Sequence, residues 1–561
     1  MQSEHQTISG KVNAAILDKV DRLFRNDDAG VWTEILQNAR RAGATCLDVS
    51  IEELGSDGGT SVITVADNGC GIESFQSLLT LGASHWDSET QGREDPAGMG
   101  FFSLCRCEVE VHSGNRRAII TPSVFMGKCE AEVIESNEFV PGTRLRFARE
   151  AAKSGLIQAL ERASEFCPLD VRLEGRLLPR RDFLEGALYR ETIDGIEVGF
   201  STQFRWEWSW HHDSNWNFYG LRIADPFDKF TGLLKPNERP SPLTVHARFN
   251  VLDTGRVKLQ LPDRRAIIQD EFLSAFHRKA RAAAYRFFQT QDRHMLPFRN
   301  WREAKDLGIT LPEAACLLET WHADLMDENT DPVFGYGKQR LLADASNVML
   351  VDRDVPDPHT LEGALHSGAR LERDLYREEP QYEGYSWYDS LPRIINTRIL
   401  IDDVPWEERP SGDTVRPARI EVELRIEEAG QPDRTLYLPA LIHVDSNCTN
   451  ELSFTSVRQS PWDNDELQGP FSVSDFLLAA TFCASDDVES DSWNTQREAY
   501  EEAIEREVNS YFRGPRASLT AILGKAIGWE ASRLAEQIGI KEIRFKRTGN
   551  GRMDWDAELL D

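Results

Sequence analysis

The chain has 561 residues, of which 40% are hydrophobic and 28% charged, a composition typical of a globular protein long enough for several cores. Its 64 Lys and Arg residues are outnumbered by 93 Asp and Glu residues, which gives a formal charge of −29. That charge repels a phosphate backbone, so it disfavours nucleic acid as a partner of the whole surface, while a local basic groove or a basic partner stays open.

The sequence contains no apolar run close to the ~20 residues that cross a bilayer. Residues 1–5 lack the basic and apolar parts of a signal peptide. Nine cysteines are scattered along the chain, and the spacing of Cys105 and Cys107 fits neither a zinc site nor a redox pair. We therefore expect a reduced cytoplasmic protein with no membrane segment.

The first predicted elements are helices at 12–24 and 31–42, where apolar residues recur at helical spacing. Glu34 and Asn38 are four residues apart on the second helix, so their side chains share one face. Strands follow at 46–52 and 61–65.

The second strand leads to Asp67, which is followed by a turn that Gly69 and Gly71 make sharp. Beyond this turn, the polar stretch 82–96 is typical of a mobile lid. Gly98 and Gly100 open a predicted helix at 101–105. The remaining pattern predicts a helix at 74–81 and strands at 108–112, 117–121, 129–134 and 143–147. Helices over a mostly antiparallel sheet make an α+β sandwich.

Four short motifs occur in order within about the first 150 residues. They are Glu34 with Asn38, then Asp67 to Ile72, then Ala97 to Phe101, and finally Gly142 with Thr143. At these positions the chain resembles the GHKL superfamily of ATPases, which includes gyrase B subunits, histidine kinases, MutL, MORC proteins and the ninety-kilodalton heat-shock chaperones.

Residues 34–45 look most like the MutL version, whereas residues 79–84 and 97–101 look closer to the MORC and chaperone versions. One departure is the pair Arg40 and Arg41, which stands where MutL-type sequences usually carry an acidic residue. The resemblance implies an N-terminal Bergerat-type ATP-binding α/β sandwich that binds ATP and Mg²⁺.

The resemblance also implies a role for each motif residue. Glu34 would polarise the attacking water, a task that suits a helical carboxylate facing the site. Asn38 would ligate Mg²⁺ through its side-chain oxygen, since magnesium takes few protein ligands. Asp67 would accept a hydrogen bond from the adenine amine, with Ile72 packed on the base and Thr143 fixing the water network around the carboxylate.

The glycines of the motifs would allow close backbone approach. Gly69 and Gly71 would let the chain approach the base. The run Gly98, Met99, Gly100 and Phe101 would present backbone N–H groups and a helix N-terminus to the phosphates.

The middle of the chain predicts a transducer-like α+β domain. Strands at 245–252 and 256–261 precede a strong helix at 272–288. Related transducer domains send a basic side chain to the γ-phosphate, and Arg264 or Arg265 is the candidate here, with Arg264 taken forward. Alternating aromatics at 204–210 are interpreted as a half-buried strand rather than a platform for single-stranded nucleic acid, because few basic residues interleave.

These patterns divide the chain into an ATP-binding domain at 1–150, a transducer-like domain at 151–295 and an α+β region at 296–561. The last region carries no motif that converts to chemistry. A helix at 311–325 and a hairpin across 419–443 are its first predicted elements. We expect it to bind a partner or to mediate dimerisation.

The function predicted from these motifs is Mg²⁺-dependent ATP binding and slow hydrolysis that drive a clamp-like conformational cycle. The expected partners are ATP or ADP, a protein client and an ATP-dependent second copy, with residues 1–11 as an exchanged arm. The alternative is a nucleotide-sensing scaffold that binds ATP without significant hydrolysis. A histidine kinase is disfavoured, because no phospho-acceptor helix pair precedes the ATP motifs.

Overall fold

A computed structural model describes the part of the chain that carries the candidate site. The described residues are 28–54, 59–80, 98–203, 214–234, 242–252, 254–260, 264, 266–323, 339–352, 354–366, 368–409, 416–445, 453–458, 473–482, 492–547 and 555–560. Several predictions fall outside them: the arm 1–11, the helix 12–24, the lid 82–96, the aromatic run 204–210 and Arg265. The fold class is α+β, as predicted.

The chain divides into two compact units. The first comprises residues 1–235 and 242–313, and the second comprises residues 236–241 and 314–561. The first unit spans both the predicted ATP-binding domain and the predicted transducer-like domain. The predicted boundaries near 150 and 295 stay predictions.

The first sheet of the first unit is built from the N-terminal strands. Its strands are β1 Cys46–Leu54, β2 Thr60–Asp67, β3 Val109–Ile120, β4 Val133–Arg149, β5 Asp170–Leu173 and β6 Arg176–Leu177. They lie in the order β3-β4-β2-β1-β5-β6, and all neighbours are antiparallel except β1 and β5. Two predicted pairs of strands are wrong in extent, because 108–121 and the segment from 133 onward each form one long strand, and bulges near Ser113 and Gly114 bend β3.

Helices cover this sheet: α1 Asp28–Arg41, α2 Phe75–Leu78, α3 Pro122–Phe125 and α4 Lys153–Ser164. α1 turns Trp32, Ile35 and Leu36 towards the sheet, and all three are buried with the apolar residues of β1, β2 and β3. The Trp32 indole N–H donates to the carbonyl of Leu156 on α4 at 3.1 Å, so α1 and α4 are joined. The two residues predicted to act chemically, Glu34 and Asn38, lie on a different part of α1 from this apolar face.

The second sheet of the first unit contains β7 Tyr189–Ile193, β8 Ile196–Ser201, β9 Trp216–Phe218, β10 Leu221–Ile223, β11 Phe230–Leu233 and β12 Leu243–Val251. The order is β10-β9-β12-β8-β7, and β11 also pairs with β12. The helix α5 Glu271–Gln289 packs Phe276, Tyr285 and Phe288 into one core with this sheet, and α6 Phe298–Asp306 follows. The predicted strand at 256–261 is wrong: its described residues form only an isolated bridge between Leu259 and Ile267.

The second unit has its own core. Its strands are β13 Leu317–Glu319, β14 Arg340–Leu342, β15 Val348–Val351, β16 Asp374–Arg377, β17 Arg393–Ile401, β18 Val404–Pro405, β19 Ile420–Glu427, β20 Arg434–Ala440, β21 Ile442–Asp445, β22 Ser453–Ser456, β23 Glu542–Arg547 and β24 Trp555–Leu560. Its helices are α7 Pro358–His366, α8 Ser386–Asp389, α9 Val473–Thr481, α10 Trp493–Arg513 and α11 Pro515–Gln537. The main sheet has the order β16-β15-β17-β19-β20.

The predicted hairpin across 419–443 is confirmed by the antiparallel pairing of β19 with β20. The predicted helix at 311–325 is wrong, because its described part contains strand β13 instead. Leu317 and Leu318 are both buried and pair with β14, so a long-range contact overrides the local helical pattern. Among the described residues, no helix is long and apolar enough to cross a membrane.

Candidate functional site

A cavity of about 320 Å³ lies in the first unit, between α1, the end of β2 and residues 143–145 inside β4. Its volume falls within the range of small-molecule sites. Nine of the predicted residues line it: Asn38, Asp67, Gly71, Ile72, Gly98, Met99, Gly100, Phe101 and Thr143. Arg264 lines it as well. Segments far apart in the chain therefore meet at one cavity, whereas the predicted residues Glu34 and Gly69 are not among those that line it.

Asp67 is the last residue of β2 and faces the cavity beside β4. Its Oδ1 accepts hydrogen bonds from the backbone N–H of Gly69 at 2.8 Å and of Thr143 at 3.3 Å. Burial raises the pKa of the Asp67 carboxyl, and these two hydrogen bonds oppose the increase. The carboxylate is thus anchored by one oxygen, and the arrangement suits an acceptor that reads a hydrogen-bond donor on a ligand.

Gly69 and Gly71 must each be glycine, for different steric reasons. A Cβ on Gly69 would lie 2.6 Å from the carbonyl oxygen of Ala42 at the end of α1, so Gly69 lets the turn pack on the helix. Gly71 has φ +76° and would place a Cβ 2.6 Å from Ser113 Oγ. Gly71 lines the cavity, whereas Gly69 packs against Ala42 at the end of α1.

Ser113 on β3 does not line the cavity but holds two segments of the site together, and the sequence did not predict this role. Its hydroxyl donates to the Gly142 carbonyl at 2.8 Å and accepts from the Ile72 N–H at 2.8 Å. These bonds tie the turn after Asp67 to the start of the Thr143 segment. No sequence signal marks Ser113, because its partners lie about 30 to 40 residues away along the chain.

Glu34 and Asn38 face the segment that begins at Gly98. A Cβ on Gly100 would clash with the Glu34 carboxylate and lie 3.3 Å from Asn38 Nδ2 and 3.4 Å from Asn38 Oδ1. Glycine is therefore required at 100 for this close approach. The following segment, Gly100–Leu104, is a 3₁₀ turn of five residues. A helical turn therefore follows Gly98, as predicted for 101–105, but it is a short 3₁₀ turn without the macrodipole of a longer α-helix.

Arg264 reaches the same place from the loop before α5. Its Nη1 lies 3.2 Å from Glu34 Oε1 and 3.3 Å from Glu34 Oε2, and the two side chains are only 9% and 16% exposed. Arg264 also has φ +51°, a left-handed conformation that is unfavourable for an arginine. The surrounding structure holds this side chain against Glu34 in spite of the backbone strain.

The residues present fit a nucleotide with magnesium. The cavity combines a carboxylate at Asp67, an amide oxygen at Asn38, and two arginines, Arg41 and Arg264. Magnesium keeps most of its waters and uses few protein ligands. No group of three or more His, Cys, Asp or Glu side chains in the described part of the chain could hold a metal by itself. Asn38 would hold a bound Mg²⁺ together with the phosphates of a ligand.

Comparison with known proteins gives one short match in sequence. No protein-family model matches the chain. The DNA mismatch repair protein MutL of Gemmatimonas aurantiaca is 38% identical over 76 residues, which make up 14% of this chain and 12% of that protein. The chain thus matches only about an eighth of the length of this curated relative. This match confirms the resemblance to the GHKL superfamily over those 76 residues.

Two solved structures are similar over about half of the chain. The N-terminal domain of a DNA repair protein is 12% identical, with a TM-score of 0.30, over 49% of this chain and 97% of that one. The B-subunit of the DNA gyrase from Myxococcus xanthus is 13% identical, with a TM-score of 0.26, over 45% and 86%.

Proposed function

We propose that the first unit binds ATP together with Mg²⁺ and hydrolyses it slowly, and that this cycle changes the conformation of the chain. One observation carries the proposal: Arg264 and Glu34, 230 positions apart, pair at 3.2 Å beside a cavity lined by Asn38 and Asp67. Binding and hydrolysis of ATP need a carboxylate for the attacking water, a cation for the phosphates, a ligand for magnesium and a hydrogen-bond acceptor for adenine. Glu34, Arg264, Asn38 and Asp67 are groups of these four kinds.

Each residue has a task that its geometry supports. Asp67 accepts a hydrogen bond from the adenine amine through Oδ2. Its other oxygen, Oδ1, already accepts from the backbone of Gly69 and Thr143. Glu34 orients and polarises the attacking water once its contact with Arg264 is released. Magnesium, when bound with the nucleotide, neutralises phosphate charge and orients the phosphates. Asn38 would supply the side-chain oxygen that holds it.

Arg264 would contact the γ-phosphate in the proposed cycle. Its guanidinium is within reach of the cavity and of Glu34 in the same conformation. Moving from a carboxylate to a phosphate keeps the charge-assisted hydrogen bonds of the guanidinium. The strain at φ +51° supports a functional reason for an arginine at this position.

The test is steady-state ATP hydrolysis with and without Mg²⁺, for the native chain and for Glu34→Ala. We expect Mg²⁺-dependent turnover that Glu34→Ala loses while it retains ATP binding. The matched control is Glu52→Ala, since Glu52 is an exposed glutamate on β1 away from the cavity. Unchanged turnover in Glu34→Ala would refute the assignment of the base.

A scaffold that binds ATP and acts through protein partners is the second candidate. The ion pair also bears on this candidate, because Arg264 takes up part of the hydrogen-bonding capacity of the Glu34 carboxylate and must move before Glu34 can act fully on a water. Micromolar ATP binding with negligible hydrolysis in every variant would support it. In either case we propose a protein client, an ATP-dependent homodimer and a cytoplasmic location.

A further inference from the structure

Arg41 is a buried cation inside the candidate nucleotide cavity. It ends α1, seven residues after Glu34 and three after Asn38, so helical spacing puts all three near one face. Its side chain lines the cavity although the residue is only 8% exposed. The Nη1 atom lies 3.4 Å from Asn38 Oδ1, the oxygen proposed to ligate magnesium.

The neighbouring arginine has a different environment. Arg40 places its guanidinium 3.9 Å from the centre of the Tyr219 ring and donates to Gln37 Oε1 at 3.2 Å. Arg40 is not among the residues that line the cavity. The two consecutive arginines therefore have separate roles, and Arg40 provides a control that differs from Arg41 by one position.

A guanidinium in this position has a chemical consequence for ligand binding. It carries a fixed positive charge, and charge-assisted hydrogen bonds from a guanidinium to phosphate are strong. It also competes with a divalent cation, because both interact with the same amide oxygen of Asn38 and repel each other.

We infer that Arg41 is a nucleotide-binding residue that neutralises phosphate charge beside Asn38, so that the cavity binds a nucleoside phosphate with little dependence on Mg²⁺. This inference rests on the proposed function, because it takes the cavity to be the nucleotide site. The added point is how the ligand is recognised: Arg41 binds its phosphates directly, in addition to the metal.

The experiment is calorimetric titration of the full chain with ATP, ADP and adenosine, each in Mg²⁺ and in EDTA. We expect native ATP affinity to change less than about fivefold on removing Mg²⁺. Arg41→Ala should weaken ATP binding in EDTA by about tenfold or more, a typical size for a lost charge-assisted contact. It should change adenosine binding less than twofold.

Three further variants separate charge from structure. Arg41→Lys should retain most of the Mg²⁺-free affinity. Arg41→Gln, which keeps a donor for Asn38 without the charge, should behave like Arg41→Ala even if the alanine variant fails to fold. Arg40→Ala should leave ATP and adenosine binding within twofold of the native values.

Two results would overturn the inference while the proposed function stands. One is native binding of ATP in Mg²⁺ that disappears in EDTA. The other is an equal loss of ATP and adenosine affinity in the folded Arg41 variants, which would show a structural role. A folded native chain that binds ATP under neither condition would refute the proposed function as well.

Discussion

Replacing Glu34 by glutamine should tighten ATP binding while it abolishes hydrolysis. In the structure, Glu34 holds Arg264 at 3.2 Å, and both side chains are mostly buried. A γ-phosphate that binds Arg264 must therefore break this ion pair and then lie near a like-charged carboxylate. Glu34→Gln removes the charge from both contacts and keeps the shape of the side chain.

The magnitude follows from the geometry. Two unit charges at 3.2 Å attract by about 5 kcal/mol at an effective dielectric constant near 20. Desolvation of the two groups offsets much of this, and measured couplings between contacting residues are about 0.5–3 kcal/mol. Taking a net value of about 1–2 kcal/mol, the affinity for ATP should rise by roughly 5- to 30-fold.

The assay is equilibrium titration with ATP and with ADP for the native chain, Glu34→Gln, Arg264→Ala and the double variant. ADP has no γ-phosphate, so its affinity should stay within about twofold in Glu34→Gln. The part of the gain that comes from releasing Arg264 should disappear in the Arg264→Ala background, where only the relief of repulsion between the carboxylate and the γ-phosphate remains, so the gain should be smaller there. An unchanged ATP affinity in Glu34→Gln, or a gain that is equally large without Arg264, would refute this account of the ion pair.

Three other perturbations test separate parts of the structure. The raised pKa of Asp67 means that its contribution to stability is present at low pH and is lost as the pH rises through that pKa. Asp67→Asn should therefore raise the melting temperature of the ligand-free protein at pH 7 and prevent ATP binding; a lower melting temperature would contradict this. Gly100→Ala should leave melting nearly unchanged and reduce turnover at least tenfold, since the new methyl group displaces the Glu34 carboxylate. Gly155→Ala on α4, where a Cβ likewise needs no left-handed backbone but meets no atom within 4 Å, is the matched control. In the second unit, burial lowers the pKa of His443 to about 4, so stability should fall by up to about 3 kcal/mol between pH 6.5 and 4; His443→Leu should flatten this dependence in acid titrations followed by hydrogen exchange, and an unchanged slope would refute it.

Local patterns were sufficient for most of the site and for several elements. Helical spacing placed Glu34 and Asn38 on one face of α1, and the alternation before Asp67 predicted strand β2. The hairpin of β19 with β20 followed from two alternating runs around a turn. These features depend on residues a few positions apart, which is the range over which backbone periodicity acts.

Other parts depended on distant contacts. The stretch 311–325 has a helical pattern, but Leu317 and Leu318 gain more by pairing with β14 in a buried sheet. The choice between Arg264 and Arg265 was open in the sequence, and the structure describes only Arg264, beside Glu34. The hydroxyl of Ser113 could not be assigned at all, because β3 reaches the turn after Asp67 only when the sheet is assembled.

The sequence by itself determined which residue types converge and in what order: an acid and an amide on a helix, a carboxylate before a glycine turn, and a second glycine segment. Only the tertiary structure decided that Arg41 lines the cavity while Arg40 lies over the ring of Tyr219. The pairing of Arg264 with Glu34 was decided in the same way. The physical reason is that spacing fixes the direction of a side chain relative to its own helix or strand. The partner that it meets is decided by the packing of elements that are far apart in the chain.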